Sequence, residues 1–177
     1  MIRNLNSSRY SFTREPYINP LIVFDLYGWL SDTGDSVVSV DIDGSNESNR
    51  YFADSIEVQE SSGASPTVRA ARGDEAFSYQ YLGRSFTGIH LLRVGQSGGG
   101  SGIFNSILFV TLSEDTSVDL AAGKSTSRKR TLIKTIGSLP LGDRFDGKVR
   151  YWFGLLYVSG CFLHQPNQKL KRWVFVI

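Results

Sequence analysis

Cysteine is almost absent from this 177-residue chain: Cys161 stands alone, so no disulfide can form within it. That fits a reducing compartment, and cytoplasm is the expected location. Histidine is limited to His90 and His164. A zinc site would need Cys161, His164 and two further ligands, and strand alternation would put those two residues on opposite faces. No metal and no cofactor is implied. Long apolar runs are missing too. Tyr151–Val158 is the longest, and Gly154 interrupts it, far short of the roughly 20 apolar residues that span a bilayer. The N-terminus, MIRNLNSSRYSF, lacks the apolar centre of a signal peptide. A membrane is therefore not an expected partner. An excess of one charge is also lacking, since 19 Lys and Arg against 17 Asp and Glu leave +2. So small a surplus does not by itself argue for nucleic acid.

What the chain does have is apolar and aromatic side chains spread evenly along it. Hydrophobic residues make up 41% and aromatics 12%, enough to bury a core and to exclude wholesale disorder. The length suits one domain over residues 1–177.

The dominant period is two. Ile22, Phe24 and Leu26 alternate with Val23, Asp25 and Tyr27; Val38, Val40 and Ile42 with Ser39 and Asp41; Phe77, Tyr79 and Tyr81 with Ser78 and Gln80. Further runs lie at Gly88–Val94, Ile103–Ser113 and Val149–Tyr157. This is the pattern of strands. Turn signals separate them: Ser31-Asp32-Thr33-Gly34-Asp35, which predicts a hairpin between Leu21–Leu30 and Ser36–Ile42, then Asp43-Gly44, Arg72-Gly73-Asp74 and Gln165-Pro166-Asn167-Gln168. Leu21–Phe24, Ile107–Leu112 and Trp152–Val158 are apolar at adjacent positions. Such strands lie under a covering layer or against another subunit. Because helix signals are few, a subunit contact is the expectation, and so is a homo-oligomer. One short helix is predicted at Ser117–Ala122, capped by Gly123. Ser127–Ile136 reads equally as helix or strand.

Five glycines crowd into Gly95-Gln96-Ser97-Gly98-Gly99-Gly100-Ser101-Gly102, and glycine lets other groups approach its backbone. Arg93 stands at the base of this loop and Arg84 one hairpin arm away. An arginine beside exposed amides can hold a carboxylate or phosphate. Arg93, Gln96, Ser97, Ser101 and Arg84 are thus the candidate ligand-binding residues; the plain alternative is an empty loop tip. Gly95-Gln96-Ser97-Gly98-Gly99 also matches the G-x-S-x-G of a nucleophile elbow, with Asp143 or Asp146 and then His164 downstream. An elbow needs a helix after the turn, whereas Ile103–Ser113 alternates like a strand.

Other motifs carry less. Gly123-Lys124-Ser125-Thr126 ends like a phosphate loop, but Val118 stands where that loop needs glycine. Asp41, Asp43, Asn46 and Glu47 gather oxygen ligands without the spacing of a calcium loop, and read as a solvated turn. Lys124, Arg128, Lys129, Arg130 and Lys134 could contact phosphates, joined by Lys169, Lys171 and Arg172, with Tyr151, Trp152 and Trp173 for stacking. A lysine-protected edge strand explains the same run more simply, so nucleic acid ranks behind other partners. His90 shares a strand face with Leu92 and Val94 and reads as structural.

These observations converge on an all-β, single-domain antiparallel β-sandwich of jelly-roll type with about ten strands and little helix. Its last strand, Lys169–Ile177, is expected to pair with Lys148–His164 and to be buried at Val174–Ile177. The expected function is a non-enzymatic binding or assembly module that contacts a small ligand or protein partner through its loops. A shell or scaffold subunit comes second, and a small serine hydrolase using Ser97 third.

Overall fold

In the computed structural model, which describes residues 9–27, 37–119, 125–160 and 171–177, most period-two runs are strands. In chain order the elements are α1 (Pro20–Tyr27), β1 (Ser39–Asp41), α2 (Ile42–Glu47), β2 (Ser55–Ser61), β3 (Ala64–Arg72), β4 (Glu75–Arg84), β5 (His90–Gly98), β6 (Phe104–Asp119), β7 (Thr126–Asp143), β8 (Lys148–Trp152), β9 (Leu155–Gly160) and β10 (Lys171–Val176). The first seven strands form one sheet in the order β1-β7-β6-β5-β4-β3-β2, and the last three form a second, β10-β9-β8. Every strand pair is antiparallel. The expected all-β sandwich is therefore present. Its connectivity is a meander, β2 to β7 lying side by side in chain order, where a jelly roll would interleave strands between the two sheets.

Strand alternation sends the large sheet's residues to two different cores. Tyr79, Leu92, Val94, Leu108, Val110 and Ile133 face α1 and the segment around Tyr10 and Phe12. Leu91, Ile107 and Leu141 face the opposite way, onto Leu156 and Val158 of the small sheet and onto Phe145. Ile107 and Leu108 are adjacent and both fully buried. The strand that looked too apolar for a half-exposed sheet is thus covered within the chain, by helix on one side and a second sheet on the other. A subunit contact is not needed to account for it.

Several expectations are corrected. Leu21–Leu30 is not a strand over its described part; α1 occupies it. Pro20 at the first helical position and Asn19 before it start the helix, Asn19 Oδ1 accepting the Leu21 N–H at 2.9 Å. The stretch is apolar almost all round, with Leu21, Ile22, Val23 and Leu26 buried, so its spacing fits either period. The predicted hairpin loses its first arm, and its turn at 31–35 lies outside the described residues. Asp43-Gly44 is inside α2, where Asp41 caps the helix by accepting the Gly44 N–H at 3.1 Å. Ser117 and Val118 are strand, not helix, because they pair with Arg128 and Ser127; residues 120–122 are outside the described set. The ambiguous Ser127–Ile136 is strand throughout, within β7.

Lys148–His164 is not one strand. Phe153 (φ +47°) and Gly154 (φ +78°) turn the chain between β8 and β9. The final strand pairs with β9 as expected, from Lys171↔Gly160 to Val176↔Leu155. It is buried on one side only: Phe175 and Ile177 pack into the core between the sheets, while Val174 and Val176 are exposed.

Candidate functional site

The glycine-rich stretch is shorter as a loop than expected. β5 continues through Gly98, pairing Gly95, Gln96 and Ser97 with Ser78, Phe77 and Ala76. Only residues 99–103 connect to β6. Within the strand, neighbouring side chains point to opposite faces. Gln96 lines a crevice beside Pro20, Phe24 and Phe77 on the helix side, and Ser97 lies on the other face. Ser101 is exposed, and its carbonyl accepts Arg144 Nε and Nη2 at 3.0 and 2.8 Å. Strand rather than helix follows the turn, so the elbow geometry is not formed at Ser97. Asp143 accepts the Ile103 N–H at 2.7 Å, and His164 is outside the described residues.

Arg93 and Arg84 do not converge on this loop. The Arg93 guanidinium donates to the Phe145 carbonyl at 3.2 Å and sits 5.6 Å from the Phe145 ring centroid; burial lowers its pKa. It lines a shallow polar pocket with Thr67, Ser78, Gln80 and Asn105. Arg84 pairs with His90, at the other end of β5. His90 and Ser97 are seven residues apart on an extended strand, about 23 Å at 3.3 Å per residue. The five candidates therefore fall into separate places: Arg93 at the shallow pocket, Gln96 at the crevice beside α1, and Arg84 at a cavity beside His90.

That cavity, of ≈ 160 Å³, is lined by Tyr10–Arg14, Tyr81, Arg84, His90 and Leu112–Glu114. Three stretches of chain build it: the N-terminal segment, the β4–β5 hairpin and residues 112–114 of β6. β4 alternation puts Tyr79 and Tyr81 on the helix side of the sheet, His90 lies on neighbouring β5, and the N-terminal segment folds over them. The segment closes on itself, the Ser11 N–H donating to the Pro16 carbonyl and the Ile18 N–H to the Ser11 carbonyl. It carries Phe12 into an aromatic cluster. Phe12 stacks on Tyr81 (5.8 Å, 8°), meets Tyr79 edge-on (5.8 Å, 88°) and lies 5.4 Å from the His90 ring. Offset and edge-to-face pairs at these distances are favourable.

His90 is the chemically distinctive member. Burial, reinforced by the nearby Arg84 charge, lowers its pKa from 6.5 to about 4. It is neutral at pH 7. Its Nδ1 is buried and has no hydrogen-bond partner among the described residues. The lining carries two guanidiniums, Arg14 and Arg84, one carboxylate, Glu114, and the hydroxyls of Ser11 and Thr13. His90 is half-buried on the strand face it shares with Leu92 and Val94, but nothing adjacent to it in sequence marks the cavity. The visible clue was the aromatic alternation Phe77, Tyr79, Tyr81 ahead of the histidine; Phe12 carried no signal because its contacts come from far along the chain.

The oxygen-rich turn has structural employment. Asp43 accepts from the Tyr10 hydroxyl at 3.1 Å and from the Thr131 N–H at 2.7 Å, and Glu47 pairs with Arg128 at 2.6 Å. Among the described residues, no three His, Cys, Asp or Glu side chains gather as metal ligands. The basic run is partly neutralised in the same way, by Glu47 on Arg128 and by Asp115 on Arg130 at 2.8 Å. Lys124 and Lys169 lie outside the described residues. No protein-family model, curated protein or solved structure matches this chain.

Proposed function

We propose that the protein is a non-enzymatic binding module whose ligand site is the cavity at His90, not the glycine-rich turn. The observation that supports this is an aromatic wall, Phe12 and Tyr81, set beside a neutral imidazole and the Arg84 guanidinium around an open space. Apolar walls with a few placed polar groups are what small-ligand sites are made of. Drug-sized ligands occupy pockets of about 300 Å³ upward, so a cavity of ≈ 160 Å³ takes something smaller. The chemistry on its lining fits a small planar carboxylate: a flat apolar body against Phe12 and Tyr81, the carboxylate toward the arginines. Glu114 opposes a dianion and so limits the charge.

The test is titration of the labelled protein with benzoate and 4-hydroxybenzoate, followed by amide and imidazole chemical shifts. Saturable shifts confined to the segment 10–14, Tyr81, His90 and the segment 112–114, weakened about tenfold or more in Arg84→Gln as loss of a charge-assisted contact predicts, support the reading. Absence of saturable shifts at millimolar ligand, or equal binding by Arg84→Gln, would remove it. Neither a shell subunit nor hydrolysis at Ser97 gains a comparable observation.

A further inference from the structure

The three-stranded sheet presents a graded surface on its outer side. Register places three rows across it: Lys148, Ser159 and Arg172; then Arg150, Tyr157 and Val174; then Trp152, Leu155 and Val176. Their intervening neighbours, Val149, Leu156, Val158 and Phe175, face the core between the sheets. Along the strands the surface therefore changes from basic to apolar. Rows two residues apart are about 7 Å apart, so the first and last are separated by about 13 Å.

Two turns extend the apolar end. Phe153 in the β8–β9 turn is 70% exposed and Phe86 in the β4–β5 turn is 83% exposed. The turns adjoin, since a Cβ on Gly154 would lie 3.7 Å from the Phe86 ring. Trp152 is 66% exposed and meets Phe153 edge-on at 4.9 Å. Large aromatics this exposed, in a group, mark an interaction site.

The segregation of charge from apolar surface selects the partner. Single-stranded nucleic acid is held by aromatics interleaved with cations; here the aromatics cluster at one end, with aliphatic Leu155, Val174 and Val176 beside them. A bilayer interface has the complementary order. Its acyl boundary accepts apolar groups to a depth of about 5–10 Å, Trp is favoured at headgroup level, and anionic headgroups above attract Lys and Arg. Asp146 borders the basic end and leaves its sign unchanged against Lys148, Arg150 and Arg172. No helix among the described residues is long and apolar enough to cross a membrane, and docking of this kind needs none.

We infer that this end of the molecule is a peripheral membrane-docking tip. Phe86, Trp152 and Phe153 enter the interface of an anionic bilayer, and Lys148, Arg150 and Arg172 lie against its headgroups. This stands apart from the ligand cavity and from the expectation that no membrane is a partner, which rested on the lack of a spanning run.

The experiment is co-sedimentation with phosphatidylcholine–phosphatidylserine vesicles against pure phosphatidylcholine, with tryptophan emission followed in parallel. The expected result is sedimentation that depends on phosphatidylserine, weakens with salt, and shifts emission to the blue in the parent but not in Trp152→Phe. Each basic residue near the surface is worth about fivefold in partitioning, so Arg150→Glu/Arg172→Glu should lower it about twenty-fivefold or more. Phe86→Ser/Phe153→Ser should lower it by at least about tenfold. All four positions are surface positions, and unchanged circular dichroism and thermal midpoints confirm that the variants fold. No sedimentation of the parent, or sedimentation of the double variants equal to the parent's, overturns the inference. So does a dimer that Phe86→Ser/Phe153→Ser dissociates without vesicle binding, or oligothymidylate binding without vesicle binding; these would assign the tip to a second copy or to nucleic acid.

Discussion

The ring of Tyr151, on β8 of the small sheet, lies against the backbone of Gly83 on β4 of the large one. A Cβ on Gly83 would collide with Tyr151 Cδ1 and reach within 3.0 Å of Cε1. Gly83 has φ +155° and sits where the β4–β5 register shifts. The bulge and the missing side chain together make the seat for the ring, and so help hold one sheet on the other. Gly83→Ala should therefore destabilise by about 1–3 kcal/mol, the usual cost of overpacking. In a double-mutant cycle by urea denaturation, Tyr151→Ala should relieve the part of that penalty that comes from the collision, and the strain of a side chain at φ +155° should remain. Additive losses would mean that the ring is not what excludes a side chain at position 83.

The glycine-rich connection has one demanding position among its glycines. Gly99 has φ +80°, and a Cβ there would come 2.9 Å from Asp74 Cβ and 3.3 Å from its carbonyl oxygen. Gly98 and Gly100 would meet nothing within 4 Å. Gly99→Ala should cost about 1–2 kcal/mol through the left-handed backbone, while Gly98→Ala and Gly100→Ala should stay within about 0.5 kcal/mol of the parent. Denaturation midpoints of the three variants check this. A ligand site built on this whole stretch would instead lose binding at all three.

The contrast between these glycines shows what the sequence could disclose. Strands were legible wherever a local period of two recurred, as at Phe77–Tyr81, because alternation records which side of a sheet is buried. α1 was not, because a segment buried nearly all round fits a period of two as well as a helical one, and its start depends on Asn19 and Pro20. The density of glycine between 95 and 102 tells what the backbone is free to do, not which residue needs that freedom. The cavity was hidden for a different reason. Phe12, Tyr81 and His90 meet through strand register and the folding-over of the N-terminal segment, and neither leaves a local spacing to read.

Tyr79 is the buried polar anchor of the helix-side core. Its ring is 1% exposed, and its hydroxyl donates to the Ile18 carbonyl at 2.9 Å, just before α1. Burial, with the Tyr17 phenol nearby, holds its pKa above the ordinary value. Tyr79→Phe keeps the packing against Phe12 but leaves the carbonyl without this donor. The expected loss is about 1–2 kcal/mol, from one hydrogen bond and an unsatisfied buried acceptor. Amide exchange should quicken first at Ile18 to Ile22 if the bond holds the start of α1. An unchanged stability would imply that another donor reaches the carbonyl.

His90 links this same core to pH. Burial first, and Arg84 second, depress its pKa from 6.5 to about 4. The unfolded chain therefore takes up a proton below pH 6.5 that the folded chain refuses until about pH 4. Where the unfolded state binds more protons, stability falls as pH falls. The contribution of His90 is fully present above pH 6.5 and is lost progressively down to about pH 4. Urea unfolding across that window should show a slope that shrinks in His90→Gln, and the His90 imidazole resonances should titrate near the lower limit. Arg84→Gln should move that titration upward by removing the nearby positive charge. Because Arg84 is exposed and screened by salt, the shift should be smaller at high ionic strength. A His90 that titrates near its ordinary value would show that the aromatic cluster leaves the ring open to water.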